Sequence, residues 1–345
     1  MRRRGWLLIA VSLSALVLCT VLAITVDEAT FSVLERLDRR WLGVALLSHA
    51  VALACWTGRL RLLSQGLGYR VPCRACGRIV LANVLAAAVT PSSAGGEPVR
   101  VHELYRAGLR PGDATAVVVT ERLLDLFLLL VAIALAVVLL GRQLEELGVD
   151  AGPLVPATAL VVLGLFGLFL LAVRSPRGVK RLLRATVGGL QRVVTGGAAR
   201  RLREVEGRID REVDHFHASV RRFAGGGWPY LALALACSAG YWVLDFLVAS
   251  FVLLALGLPP SWIESLLSQV LVNVIALLPF TPGGAGIAEA SAASLYGLFV
   301  PSSALGVMIV LWRLIVYHLN ILLGLGAGLA ILRREAGRRR RGREP

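Results

Sequence analysis

Apolar residues run along this chain in blocks too long for the core of a soluble domain. Six of them, 5–26, 41–63, 115–140, 153–173, 228–256 and 302–332, each hold at least 21 residues. About 20 residues of helix cross a hydrocarbon core about 30 Å thick. The pattern predicts an all-α integral membrane protein of about six transmembrane helices. Two further blocks behave differently. Block 79–89 stops at Thr90-Pro91-Ser92-Ser93-Ala94-Gly95-Gly96, and block 262–278 stops just before Thr281-Pro282-Gly283-Gly284-Ala285-Gly286. The first, as 11 residues of helix, would cover only about 17 Å. Proline and clustered glycine break a helix, and the freed backbone groups cannot face lipid. Each block therefore predicts a re-entrant helical hairpin with a broken tip, its return arm at about 98–109 or 288–299.

The charges give these elements sides. The chain has 345 residues, 57% of them hydrophobic, and a formal net charge of +15. Lys180 is the only lysine, so the positive charge is arginine. The arginines stand in loops and tails beside apolar blocks, where basic residues are held on the cytoplasmic face and attract anionic headgroups. No recognition motif accompanies them, which argues against nucleic acid. The opening run Met1-Arg2-Arg3-Arg4 with 5–26 could pass for a signal peptide. It is longer than an h-region and has no small-residue cleavage site before Asp27, so a retained first helix is expected. With the N-terminus inside, the loop with Arg70, Arg74 and Arg78, the segment 174–222 and the tail from Arg333 all fall on the cytoplasmic side. Segment 174–222 holds 13 Lys or Arg against 5 Asp or Glu, a strong inside signal. The expectation is a multi-pass protein of the cell membrane with both termini cytoplasmic. Fully spanning hairpin arms would give the same loop sides; the short first arm separates the two readings.

One membrane domain, 1–335, is expected, with repeat one at about 41–140 and repeat two at about 228–332. A cytoplasmic amphipathic segment, 174–227, joins them, and a basic, disordered tail, 336–345, follows. Within the joining segment, Leu202, Val205, Ile209, Val213, Phe216, Val220 and Phe223 recur every three to four residues. That spacing makes an amphipathic helix, either lying on the membrane face or linking the repeats with a buried stripe.

Little in the chain suggests chemistry on substrates. The five cysteines form no disulfide framework, and Cys73-x2-Cys76, placed in a cytoplasmic loop, lacks the second pair or histidines of a zinc site. Neither glycine cluster has the length of a nucleotide-binding phosphate loop, and no nucleophile elbow or metal-binding helix motif occurs. No enzyme activity, metal or cofactor is expected.

The two broken blocks read as copies. Asn83, Thr90-Pro91, Gly95-Gly96 and Glu97 are followed by a helix with Glu121-Arg122. Asn273, Thr281-Pro282, Gly283-Gly284, Gly286 and Glu289 are followed by a helix with Arg313. Glu97 to Arg122 is 25 residues, Glu289 to Arg313 is 24, and the copies lie about 191 residues apart. One copy entering from each side makes an inverted repeat of broken helices, whose substrate site lies near the midplane in many transporters. Glu97, Arg122, Asp125, Asp245, Glu289 and Arg313 fall at or near membrane depth, where a charge needs a partner or a wet cavity. Two readings follow. Arg122 and Arg313 bind a phosphate, with exposed N–H groups at the tips as further donors. Alternatively, Glu97–Arg122 and Glu289–Arg313 are internal ion pairs holding each hairpin to its neighbouring helix. Asp245 is either a proton-coupling carboxylate or a structural partner of Arg59, Arg61 or an arginine of the other repeat. His102 and His318 read as packing histidines.

At these residues the chain resembles a known family. Asn83, the run from Thr90 to Arg100, Glu121-Arg122-Leu123-Leu124-Asp125 and Thr281-Pro282-Gly283-Gly284-Ala285-Gly286-Ile287-Ala288-Glu289 resemble the lysylphosphatidylglycerol synthase transmembrane-region family. Its members are also called flippase-like membrane proteins. The resemblance covers about residues 4–334. It implies the lipid-flipping half of aminoacyl-phosphatidylglycerol synthases, without the soluble acyltransferase-like domain that performs aminoacyl transfer. Some members accompany glycosyltransferases that use polyprenyl phosphates. The expected function is thus movement of an anionic phospholipid or a polyprenyl-phosphate-linked lipid across the bilayer. The alternative is a non-transporting membrane partner that tethers or regulates a lipid-modifying enzyme or glycosyltransferase through segment 174–222.

Overall fold

The computed structural model describes residues 35, 37–88, 90, 95–146, 226–276, 281 and 284–341, with isolated positions at 30, 160, 164, 167, 181, 218 and 222. The expected spans 5–26 and 153–173, most of the amphipathic segment 174–227, and tip residues Pro91, Pro282 and Gly283 lie outside the described residues.

The described chain is all helical. It comprises α1 (Arg39–Gly66), α2 (Cys73–Ala88), α3 (Gly96–Arg106), α4 (Pro111–Glu146), α5 (Trp228–Ala255), α6 (Trp262–Ala276), α7 (Ile287–Tyr296), α8 (Ser302–Arg313) and α9 (Leu319–Arg341). One π-helical turn, Leu314–His318, joins α8 to α9 without interrupting the rod. Among the described residues, three rods are long and apolar enough to cross a membrane: Arg39–Gly66, Trp228–Ala255 and Ser302–Ala330. Helix α4 covers the expected span 115–140.

Two expectations need correction. Helix α2 starts at Cys73, so the first broken arm is 16 residues long and the Cys73-x2-Cys76 pair sits in its first turn rather than in a loop. The tail, expected to be disordered from residue 336, remains helical through Arg341. Arginine is a good helix former, and a run of it does not end a helix that has already propagated.

The chain divides into two compact units. The first takes the described residues up to Arg59, then 71–104 and those from Ala236 onward. Here α1 and α5 run antiparallel. Trp41 stacks on Phe251, Ser48 Oγ donates to the Leu244 carbonyl at 2.7 Å, and Trp56 meets Tyr241 with ring centroids 5.2 Å apart. Contacts recurring at 41, 48 and 56 keep one face of α1 on its partner, as helical periodicity requires. The main core is built from α5, α7 and α8, including Val252, Ala292, Tyr296, Met308 and Ile309. Tyr296 ties the second broken pair together. Its hydroxyl lies 2.9 Å from Ser265 Oγ and accepts from Gln269 Nε2 at 3.0 Å.

Helix α9 lies against α2 at a close approach. A Cβ on Gly324 would stand 2.7 Å from Leu85 Cβ and 2.8 Å from the Leu81 carbonyl oxygen. Small residues let helices approach this closely in lipid, where packing rather than hydrophobic burial drives association.

The second unit takes residues 60–70 and 105–235, as far as these are described. Near the start of α4, Asp113 accepts from the Tyr69 hydroxyl at 2.6 Å and pairs with Arg222. A carboxylate in the first turn of a helix also meets the positive end of the helix dipole.

Candidate functional site

The second break is where chemistry gathers. Helix α6 ends at Ala276, and the chain re-enters helix at Ile287 through Gly284 and Gly286, whose φ angles are +69° and +85°. Those left-handed conformations are open to glycine at little cost, which explains the run of small residues. The turn leaves N–H groups at the start of α7 without helical partners. Glu289, in the first turn of α7, meets one of them: Gly286 N–H donates to Glu289 Oε2 at 2.7 Å.

The other carboxylate oxygen faces Arg313, with Nε 2.9 Å from Glu289 Oε1. The side chains are 0% and 6% exposed. The N–H is not aligned on the oxygen as a hydrogen bond requires, so the contact is one of apposed charges. The guanidinium also lies 4.3 Å from the Tyr317 ring centroid and 5.5 Å from that of Trp312. The π turn beginning just after Arg313 brings Tyr317 beside it, and His318 Nδ1 donates to the Arg313 carbonyl at 3.1 Å. Such single π turns occur often at functional sites.

The two breaks converge here. Ala88, the last residue of α2, and Ala285, in the second break, pack with Tyr317 and Ile321 in one buried cluster. Arg313 stands beside Tyr317, and Arg313 Nη2 and Tyr317 OH are buried with no hydrogen-bond partner among the described residues, as are Thr281 Oγ1 in the second break and Asn83 Oδ1 on α2. Each such atom costs about 1–3 kcal/mol unless a ligand or water meets it. Arg313 and Tyr317 together offer a cationic donor and a hydroxyl, which suits a polar, anionic group.

The first break is built differently. Thr90 Oγ1 accepts from Gly95 N–H at 2.8 Å and donates to the Ala86 carbonyl at 2.9 Å, bridging the gap locally. A Cβ on Gly96 would run into Asn83 Oδ1, so glycine is required there by close approach. Glu97 stands in the first turn of α3 in the first unit, whereas Arg122 and Asp125 belong to the second. Within that second unit, Arg122 Nη1 lies 3.7 Å from Asp125 Oδ2, one turn along α4, and its side chain is 43% exposed. The two repeat arginines therefore sit in unlike surroundings. In the first unit the buried cations near the first repeat are Arg59 and Arg100, each with its guanidinium carbon 5.7 Å from the Trp56 ring centroid.

Asp245 has a different partner. Of the partners considered, its carboxylate meets neither Arg59 nor Arg61, but His49: Nδ1 to Asp245 Oδ1 is 2.8 Å. Arg59 instead donates to Ser238 Oγ at 3.1 Å. His49 Nε2 lies 3.0 Å from Asn320 Oδ1. His49 was open to recognition only as an ionisable residue inside an apolar run, the signal that marks an intramembrane functional group. Tyr317 had no such signal, being an aromatic residue among apolar ones.

Long apolar rods, two pairs of broken helices and buried ion pairs inside them define a polytopic α-helical membrane protein with an ionisable interior. The chain belongs to the lysylphosphatidylglycerol synthase transmembrane-region family, whose profile matches residues 6–324. It is similar to a UPF0104 membrane protein of Archaeoglobus fulgidus, 32% identical over 319 residues, which make up 92% of this chain and 94% of the relative. A UPF0104 membrane protein of Pyrococcus horikoshii is 24% identical over 328 residues, 89% of this chain and 90% of the relative.

Proposed function

We propose that this protein moves an anionic phospholipid or a polyprenyl-phosphate-linked lipid across the cell membrane, acting as a transporter rather than an enzyme. The observation that carries the reading is Arg313, buried against Glu289 beside a helix break, with Nη2 unmatched among the described residues and Tyr317 OH close by. A phosphate oxygen supplies the acceptor that both lack, and arginine binds phosphate through its planar fork. Glu289 then competes with the headgroup for one cation. The site alternates between an internal ion pair when empty and an arginine–phosphate pair when loaded, so the cation keeps a partner in both states, while Glu289 must share the guanidinium or take up a proton when the headgroup is bound.

The broken arms support an alternating route. Helices α2, α3, α6 and α7 have 16, 11, 15 and 10 residues, or about 24, 17, 23 and 15 Å, against a core of about 30 Å. In this reading they are two re-entrant hairpins of an inverted repeat, one from each face, with the headgroup passing where the tips meet. Both termini are cytoplasmic, as the basic segments require.

The test is lipid translocation in proteoliposomes containing a head-labelled anionic phospholipid or a labelled polyprenyl phosphate. Wild type is compared with Arg313→Ala and Arg313→Lys, each first shown to insert and remain monodisperse. Protein-dependent movement that is lost in Arg313→Ala and partly kept in Arg313→Lys is the expected result. Movement indifferent to both substitutions removes the site. No movement of either lipid in wild type, under any imposed gradient, overturns transport and leaves a non-transporting membrane partner.

A further inference from the structure

The trio His49, Asp245 and Asn320 joins the three long apolar rods: His49 is on α1, Asp245 on α5 and Asn320 near the start of α9. His49 is ten residues into α1, about 15 Å along its axis and so near the middle of a core about 30 Å thick. Its ring is 2% exposed and the Asp245 side chain 18%. The carboxylate is the more accessible end.

The hydrogen bonds determine how many protons the trio holds. Asn320 Nδ2 donates to the Val316 carbonyl at 2.7 Å, which orients the amide with Oδ1 toward His49. That oxygen only accepts, so His49 Nε2 must carry a proton. At 2.8 Å, Nδ1 and Asp245 Oδ1 need a second proton between them, because a bare ring nitrogen and an ionised carboxylate both only accept. The second proton belongs to the pair: His⁺ with Asp⁻, or neutral His with protonated Asp. Either way the pair is neutral when it holds that proton and carries a single negative charge once it has left.

We propose that His49 and Asp245, held by Asn320, form a proton-binding site that couples the lipid movement proposed above to a proton gradient. This rests on that transport reading for the cargo, but the proton count stands on the trio alone. The link between the sites runs through the π turn. Val316, whose carbonyl orients Asn320, lies inside Leu314–His318, the turn that also carries Tyr317 and begins just after Arg313. Converting this turn to α-helical register moves the Val316 carbonyl, frees the Asn320 amide to rotate and withdraws the acceptor from His49 Nε2. Headgroup capture by Arg313 and proton release by the trio then share one two-state element, as coupling between separate sites requires.

Other charged groups on the neighbouring elements are turned elsewhere. On α1, Arg59 faces Ser238 and the Trp56 and Tyr241 rings. On α8, Arg313 faces Glu289, and in the π turn His318 donates to the Arg313 carbonyl. Asp245 on α5 is the ion facing His49, and Asn320 on α9 is the polar group on its other side.

The experiment uses full-length protein in liposomes containing the labelled anionic phospholipid and a trapped pH dye, under pH gradients of either direction. In wild type, lipid movement differs several-fold between the two gradients and is accompanied by proton flux. In Asp245→Asn and His49→Gln, the ratio between gradients falls to about one, whatever the absolute rate. A wild-type rate equal under both gradients, or a gradient response kept by Asp245→Asn, overturns the proton site while leaving lipid transport standing. Wherever lipid movement is absent, in wild type or variant, ¹⁵N NMR of labelled histidine in the same liposomes decides. A His49 signal, identified by its loss in His49→Gln, that shows two protons shared over ring and carboxylate and loses one on alkalinisation supports the site. A ring with a single proton throughout the titration, together with an Asp245 carboxyl ¹³C signal that stays that of an ionised carboxylate throughout, overturns it.

Discussion

Glu289 and Arg313 give the sharpest stability prediction. The pair is 2.9 Å apart, and the side chains are 0% and 6% exposed, so removing one partner leaves the other charged and buried. Such a truncation costs about 3–5 kcal/mol. Arg313→Met takes away the cation apposed to Glu289 and leaves that carboxylate buried, the Gly286 N–H still donating to it. Glu289→Gln keeps an acceptor for that N–H but leaves the guanidinium, among the described residues, against the faces of Tyr317 and Trp312. Each single change is expected to destabilise by about 3–5 kcal/mol, and the double variant by no more than either alone. The coupling energy of the cycle is then about 3 kcal/mol or more, near the top of the range for neighbouring groups. The assay is reversible unfolding in mixed micelles with rising mole fraction of denaturing detergent, followed by tryptophan fluorescence. Losses that add to within about 0.5 kcal/mol would mean the two side chains do not interact. Single losses below about 1 kcal/mol would mean the pair is solvated like a surface pair. Either result would sink both the ion pair and the alternation built on it.

Two further outcomes follow from the packing and from the pair at the start of α4. Gly324→Ala should weaken the α2–α9 contact by about 1–3 kcal/mol through overpacking, because its Cβ would meet Leu85 Cβ at 2.7 Å and the Leu81 oxygen at 2.8 Å; Gly326→Ala, which meets nothing within 4 Å, should have no such cost in the same unfolding assay. Burial and the Asp113 carboxylate together push the Tyr69 hydroxyl above its usual range, burial being the larger cause. The folded state thus holds this proton more tightly than the unfolded one. Its stabilisation is complete below the unfolded value, about pH 10, and is lost as pH rises through the folded value. Tyr69→Phe should therefore lower thermal stability in detergent at neutral pH, by about 1.5–3 kcal/mol for one hydrogen bond to a charged acceptor. It should also flatten the alkaline decline; an unchanged decline above about pH 10 would exclude Tyr69 as its source.

Much of the candidate site was legible along the chain, though unevenly. The Glu289–Arg313 pair was one of two readings of a broken block, a carboxylate just after it and an arginine 24 residues on, and the two side chains do meet. The spacing in the first copy, 25 residues, did not lead to the same surroundings, since Arg122 is half exposed and lies near Asp125. Sequence spacing places a residue along a helix but does not set how that helix is rotated. A rotation of some 100° moves a side chain from a buried face to an open one, and 100° is the step between adjacent residues. The partner of Asp245 shows the same limit: His49 is 196 positions away, and many ionisable residues competed for it on paper.

By itself, the sequence determined the all-helical membrane class, the long rods and the two breaks. These are local quantities: in lipid each backbone group must be satisfied within its own helix, so transfer free energy summed over about 20 residues decides what spans, and proline with clustered glycine decides what breaks. Only the tertiary structure decided that the breaks meet around Tyr317, that Arg313 is the buried repeat arginine, and that His49 links Asp245 to Asn320. Those outcomes depend on how rods of similar apolarity pack side by side. Since lipid is as apolar as the helix faces, the choice rests on close fits such as Gly324 on Leu85 and on matching buried charges, which no local pattern encodes.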